Sequence, residues 1–250
     1  MSQKFAKSLL ITGANRGIGL EFVKKLASRV DILFAGCRKP SEAKELNALK
    51  DAHNNLHVVE IDVTCEKNIQ ACIEEVSKVC GEAGLSCLIN NAGANKKPDN
   101  KVTELSLDDL KRIFSVNTFG PPIVCKHSLS LLQQAAKTHS DQIITKPLIV
   151  NIGTGLSSVS RMNRDMSCYY SYNMSKSPLN MFTKMLSLEI EEDGIDVIAI
   201  HPGWVQTDMG GSNATLTVQQ SIDMMLETLS NLRQEQNGTL INFKGETIPY

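Results

Sequence analysis

Short unbroken apolar runs alternate along the chain with stretches in which apolar residues recur every three or four positions. Ser8-Leu9-Leu10-Ile11-Thr12 opens the series and predicts a strand buried on both faces. Ile18, Phe22 and Leu26 follow at helical spacing. Ile32 to Gly36 predicts a second strand, and Ser41 as N-cap predicts a helix through Ala43, Leu46 and Leu49. Further strands are predicted at Leu56 to Ile61, Leu85 to Ile89, Leu148 to Ile152, Ile195 to Ile200 and Thr239 to Phe243. Between them, helices are predicted from Glu66 to Val79, from Leu105 to Asn117, onward to Lys137 after an interruption at Gly120-Pro121-Pro122, and from Tyr170 to Glu192. Thr217 and Gln220 form a capping box for a last helix bearing Ile222, Met225, Leu226, Leu229 and Leu232. Residues 94–102 and 138–146 are polar and predict a solvated loop and a polar connection. No linker, repeat or low-complexity tract divides the chain, so residues 1–250 are expected to form one α/β domain.

Composition narrows the setting. The 250 residues are 42% hydrophobic and 21% charged, the balance of a soluble globular protein, and a net charge of −1 leaves no basic footprint for nucleic acid or an anionic membrane. Seven cysteines stand singly with no C-x-x-C, which fits free thiols in a reducing compartment and no metal site. No secretory h-region follows Met1, and no apolar run approaches the ~20 residues of a membrane span, so the expected location is cytoplasmic.

Candidate chemistry sits where the predicted strands end. Thr12-Gly13-Ala14-Asn15-Arg16-Gly17-Ile18-Gly19 joins the first strand to the first helix. Strand, glycine turn, helix is the context of a dinucleotide site: glycines let the backbone approach phosphates, and the helix start offers free amides and a positive dipole end. The second strand ends in Cys37-Arg38-Lys39 where an NAD site shows an acid; cations there suit a 2′-phosphate, hence NADP(H). The fourth strand ends in Asn90-Asn91-Ala92-Gly93, suited to a ligand over that edge or to a simple turn. Asn117 falls where helical hydrogen bonding is disturbed, either capping the break or holding a water. The fifth strand runs into Gly153-Thr154-Gly155-Leu156-Ser157, and the sixth into the stretch from His201-Pro202-Gly203 to Gly211. Tyr172 and Lys176 lie four apart, one helical turn, so an ammonium is expected beside a phenol and would lower its pKa.

Taken in order, these motifs resemble those of the short-chain dehydrogenase/reductases over roughly residues 5 to 250. The stretch from Pro202 to Gly211 and the ending Gly-Glu-Thr-Ile-Pro-Tyr are similar to the sniffer/C-factor-like carbonyl reductase branch. The resemblance implies a single-domain Rossmann-type doubly wound parallel sheet of about seven strands with helices on both faces. It implies that Gly13, Gly17, Ile18 and Gly19 hold the pyrophosphate, with Asn15 and Arg16 in the same turn, and that Arg38 meets the 2′-phosphate. It puts Asp62 and Val63 beside the adenine, and Asn90, Ala92 and Gly93 along the cofactor cleft. Pro202, Gly203, Val205 and Thr207 border the nicotinamide.

The activity it implies is NADPH-dependent reduction of an aldehyde, ketone or quinone. Tyr172 is then the general acid, and Lys176 holds the nicotinamide ribose and continues a proton relay through water to Asn117. Two features depart from the family pattern. The usual Asn-x-Ser-Ser reads Asn151-Ile152-Gly153-Thr154, so either Thr154 or Ser157 supplies the hydroxyl for the substrate oxygen. Pro178 follows Lys176 where alanine is common, and bears on whether the helix bends there. The same residues also serve an NAD(P)-dependent alcohol dehydrogenase; a non-catalytic NADP-binding regulator on the same scaffold is favoured by the missing serine alone, and intact Tyr172, Lys176 and Asn117 argue against it. Residues 205–220 are short for a lid, so an open site is expected, and the two long helices at about 107–137 and 170–192 are the expected seam of a homodimer or homotetramer.

Overall fold

The computed structural model describes residues 3–96, 99–138, 141–164 and 166–250; Lys97, Pro98, His139 and Ser140, within the two predicted polar stretches, lie outside the described residues. The described chain runs β1 (Ala6–Thr12), α1 (Gly17–Leu26), β2 (Val30–Cys37), α2 (Lys44–Ala52), β3 (Leu56–Glu60), α3 (Glu66–Cys80) and β4 (Cys87–Asn90). It continues α4 (Leu107–Phe114), α5 (Gly120–Ala136), β5 (Leu148–Ile152), α6 (Tyr170–Glu189), β6 (Asp196–His201), α7 (Val218–Ser230), β7 (Leu240–Asn242) and β8 (Thr247–Ile248). One sheet holds the strands in the order β3-β2-β1-β4-β5-β6-β7-β8. Pairing is parallel from β3 to β7, and β8 is antiparallel.

The sheet is buried on both faces because the apolar runs supply both. On one face, Leu9 and Ile11 of β1 pack with Phe22 and Leu26 of α1, Leu46 of α2, and Ile222 and Met225 of α7. On the other, Leu10 meets Ile69 and Val76 of α3, Val124 and Leu132 of α5, and Leu186 of α6. Alternation along a single strand thus feeds two cores.

Four expectations need correcting. The sheet has eight strands rather than about seven, because Gly245 at φ +79° turns the chain back and the two-residue β8 is too short to leave a pattern. Ser41 is not an N-cap: Pro40–Glu42 closes a separate tight turn, Ala43 breaks out of helical geometry, and α2 begins at Lys44. Gly120-Pro121-Pro122 does not interrupt the helix; Ser115–Phe119 form a π-helical turn that carries α4 straight into α5. The prolines occupy the first turn of α5, where a missing amide costs least. Finally, α6 ends at Glu189 and runs unbroken through Pro178, whose absent amide would have served the carbonyl of exposed Met174. The capping box at Thr217 and Gln220 forms as read, with both reciprocal bonds present.

Candidate active site

Strand order reverses between β1 and β4, so the connections after these strands leave opposite ways and open a crevice at their carboxyl ends. The glycine turn and the Asn90–Gly93 edge meet there. Asn91 donates from Nδ2 to the carbonyls of Thr12 and Gly13, both at 2.9 Å, and the Thr12 hydroxyl accepts from the amides of Asn91 and Ala92, both at 3.1 Å. A Cβ on Gly19 would lie 2.3 Å from the Gly13 carbonyl oxygen, and one on Gly13, at φ +66°, 2.8 Å from the Ala92 Cα. No side chain caps α1; the first-turn amides of Gly17, Ile18 and Gly19 are therefore left for a phosphate, which is what a dinucleotide pyrophosphate requires. Asn15 and Arg16 are exposed at the rim of this turn.

The cations at the end of β2 are not equivalent. Lys39 is paired with Glu42 at 2.8 Å, and Arg16 with Asp208 across the crevice at 3.0 Å. Arg38 is exposed and has no ion-pair partner among the described residues, so its guanidinium is free for a 2′-phosphate. Asp62 turns its carboxylate onto Thr64, accepting from its amide at 2.9 Å and its hydroxyl at 2.7 Å, and Val63 packs beside Gly120.

Tyr172 and Lys176 share one face of α6, beneath the carboxyl end of β5. Lys176 is buried and donates from Nζ to the Ile152 carbonyl at 2.7 Å. Burial pushes its pKa down to about 8. Tyr172 does not behave as the spacing suggested: burial dominates and pushes its phenol up to about 12, and the group that opposes the rise is the Thr154 hydroxyl. One N–H of the Lys176 ammonium is engaged by the β5 carbonyl. Thr154 and Ser157 part company. Thr154 faces the phenol and also accepts from the Leu156 amide at 3.2 Å, whereas Ser157 donates to the Thr154 carbonyl at 2.6 Å and accepts from Asn180 at 2.9 Å. The Ser157 hydroxyl is an anchor of the loop on α6.

Asn117 sits in the π turn, fully buried, as the disturbed helix suggested. Both Nδ2 hydrogens are used, donating to the Ala94 carbonyl at 2.8 Å and Ser175 Oγ at 2.9 Å, while Oδ1 accepts from the Ala94 amide at 2.8 Å and keeps a second lone pair. Asn90 reaches Asn151 at 2.9 Å, and Asn151 reaches Thr183 at 2.9 Å, a polar row tying β4, β5 and α6 together under the crevice. After β6, the Pro202 carbonyl accepts from Ser221 at 2.7 Å, Gly203 takes φ +85°, and Val205 bridges to Leu216. Thr207 approaches Gly17, so a loop from the far side of the sheet closes the mouth of the glycine turn. Met209 lies over Gly93, opposite Asn117.

Two residues in this neighbourhood went unread in the sequence. Asp99, in the stretch taken as solvated, is buried and bonded to the first turn of α6. His201 packs its ring against Gly155, with Nδ1 closed off from solvent and no hydrogen-bond partner among the described residues. Burial, helped by the Arg161 charge, pushes its pKa down to about 4. Asp99 lies in no motif, and His201, although it heads the stretch after the sixth strand, takes its role only from the folded neighbourhood.

The short chain dehydrogenase family model matches residues 7–217. The carbonyl reductase Sniffer of D. melanogaster superposes with a TM-score of 0.93 at 36% identity, over 98% of this chain and 100% of that one. The NADPH-bound carbonyl reductase from chicken fatty liver gives 0.91 at 36% identity, again over 98% and 100%. An uncharacterized oxidoreductase of Schizosaccharomyces pombe is 31% identical over 98% of both chains.

His201 carries a pH consequence. Its folded pKa, about 4, lies below the ordinary imidazole value of 6.5, so in that window the unfolded chain binds a proton that the native chain refuses. Stability from this residue is present above the window and is lost as pH falls through it. The melting temperature of wild type should therefore drop more steeply between pH 7 and pH 4.5 than that of His201→Gln. Parallel curves would show that the imidazole titrates normally.

Proposed function

The chain belongs to the short-chain dehydrogenase family of oxidoreductases, and on that footing we propose that it is an NADPH-dependent carbonyl reductase acting on an aldehyde, ketone or quinone. One observation carries the reading: Tyr172, Lys176 and Thr154 converge at the carboxyl end of β5, beside a glycine turn fit for a pyrophosphate. Arg38, unpaired at the end of β2, favours NADPH over NADH. The solved carbonyl reductase from chicken liver that resembles the chain is described as NADPH-bound, which supports the same choice.

Bound NADPH supplies the hydride for the carbonyl carbon. The chain supplies the proton and the orientation. Tyr172 is protonated at neutral pH, as a phenol is; burial pushes its pKa up to about 12, so release of its proton depends on groups that stabilise the phenolate. The Thr154 hydroxyl is the second donor to the carbonyl oxygen, and it also steadies the phenolate left when Tyr172 gives up its proton. Lys176, at about 8, keeps most of its charge at neutral pH and adds to that stabilisation. Asn117, in the π turn, would hold a water relaying protons from Lys176. Ser157 is assigned to the scaffold rather than to the substrate.

Seven free cysteines, five of them buried, suit a reducing, cytoplasmic setting, and no helix among the described residues is long and apolar enough to cross a membrane. Met174, Met181, Met185 and Leu188 form an exposed apolar stripe along α6, where a homodimer or homotetramer would meet.

Purified protein should oxidise NADPH in the presence of a small panel of aldehydes and quinones, followed by NADPH absorbance. Tyr172→Phe should bind NADPH normally and lose roughly 10²–10⁴-fold in kcat; retention of a tenth of wild-type turnover would remove Tyr172 from the role. Arg38→Asp should weaken NADPH binding about ten- to a hundredfold and turn preference towards NADH, which a fluorescence titration with both cofactors reads directly. Thr154→Val should lower kcat/KM by about 10²–10³-fold. Ser157→Ala should change it less than about threefold but destabilise the fold by about 1–3 kcal/mol, since it strands the buried Asn180 amide. The opposite pattern would give Ser157 the substrate.

A further inference from the structure

The helix that carries Tyr172 begins without a cap of its own. Tyr169, the residue before it, is left-handed at φ 58°, ψ 48°, is the sole non-glycine residue at positive φ among the described residues, and bonds no first-turn amide with its side chain. The first turn is instead completed from 72 residues away in the sequence. The amide of Tyr170 donates to the Asp99 carbonyl at 3.2 Å. That of Ser171 donates to Asp99 Oδ2 at 3.0 Å, and the Ser171 hydroxyl donates to the same oxygen. Asp99 is 1% exposed and Ser171 0%, so these bonds replace no bulk water contact in the folded state. A carboxylate here also meets the positive end of the helix dipole.

Buried charge needs company, and it has some. Lys96 stands 3.9 Å from Asp99 and 3.2 Å from Asp109, and donates to the Glu104 carbonyl at 3.3 Å. Two residues earlier, Ala94 is clamped by Asn117, which is bonded in turn to Ser175 on α6. The segment after β4 is thus fastened to α6 at Ser171 and at Ser175, one helical turn apart and on either side of Tyr172.

We propose that Asp99 is a positioning residue for Tyr172, a long-range N-cap that sets where the first turn of α6 begins and so where the phenol stands relative to Thr154. This rests on the reading of Tyr172 as proton donor, but the capping itself does not. An isolated start with a left-handed residue and no local cap would fray, and Tyr172 lies within that first turn. Asparagine at 99 can still accept both Ser171 bonds through its amide oxygen, while alanine leaves them unmet inside the protein.

The test uses Asp99→Ala, Asp99→Asn and Ser171→Ala beside wild type, each first checked for NADPH binding by fluorescence. Asp99→Ala should lose roughly ten- to a hundredfold in kcat, the scale of a small misplacement of a reacting group, with KM for NADPH near that of wild type. Asp99→Asn should recover most of that loss, and Ser171→Ala, which keeps the backbone bond, should fall between them. Amide exchange at residues 170–172 should quicken in Asp99→Ala and stay slow in Asp99→Asn. Equal kcat and exchange in wild type and Asp99→Ala, or an Asn variant no better than Ala, would overturn the proposal. If Asp99→Ala does not fold, the Asn and Ser171→Ala pair decides by the same order. A wild type that turns over no carbonyl while exchange still follows the cap would sink the proton-donor reading and leave the cap in place.

Discussion

The close approach of the glycine turn to the end of β4 is the constraint on which the site depends. Four hydrogen bonds from Asn91 and Ala92 to Thr12 and Gly13 cross it, and Gly13 and Gly19 are packed so tightly that a Cβ on either would enter a neighbouring backbone. Hydrogen bonds of this kind are individually modest, about 0.5–1.5 kcal/mol net, but here they fix the separation of two loops that no regular ladder joins. The crevice is therefore formed before any ligand arrives, and its phosphate-facing amides stay unspent because α1 has no side-chain cap. Pre-formed donors of this sort cost nothing to arrange at the moment of binding.

From that fixed point, polar groups are spent in two different ways. Asn90, Asn151, Thr183, Ser157, Asn180 and the Asn117 side chain hold strands, loop and α6 in register, with Oδ1 of Asn90 and of Asn180 left without a partner among the described residues. Tyr172 and Thr154 stand together at the cleft, and Arg38 has no ion-pair partner among the described residues. A hydroxyl's partners thus say more about its place than its residue type does, since threonine occurs both in the polar row, as Thr183, and facing the Tyr172 phenol, as Thr154. Burial acts on both ionisable groups, pushing the Tyr172 phenol up and drawing the Lys176 ammonium down.

Much of this was legible from the residues. Apolar runs marked β1 to β7 because strands buried on both faces must be continuously apolar, and the glycines of residues 13–19 declared a turn at which backbone meets phosphate. Thr154 and Ser157 could not be told apart by spacing, because the decision lies in Asn180, a side chain on another element that occupies Ser157. Asp99 was unreadable for a similar reason: among lysines and a proline it looks solvated, and only the docking of its loop on α6 makes it a cap. The Ile152 carbonyl as a partner of Lys176 was equally beyond reach, because spacing gives proximity but not the direction in which Nζ points. Local rules locate side chains on an element; they do not say which tertiary partner claims them.

The π turn at Ser115–Phe119 has a consequence for helical phase. It holds one residue more than an α turn would, and α5 starts immediately after it with no loop to absorb a change. Deleting one residue there would restore a regular helix but rotate everything beyond by about 100°. Val124, Cys125 and Leu132, now against the sheet, would swing away from it, and Asn117 would lose its alignment with Ala94. The irregularity is thus a phase shifter: the π turn can present Asn117 to Ala94 and α5 can present its apolar face to the core only because α4 and α5 are out of step.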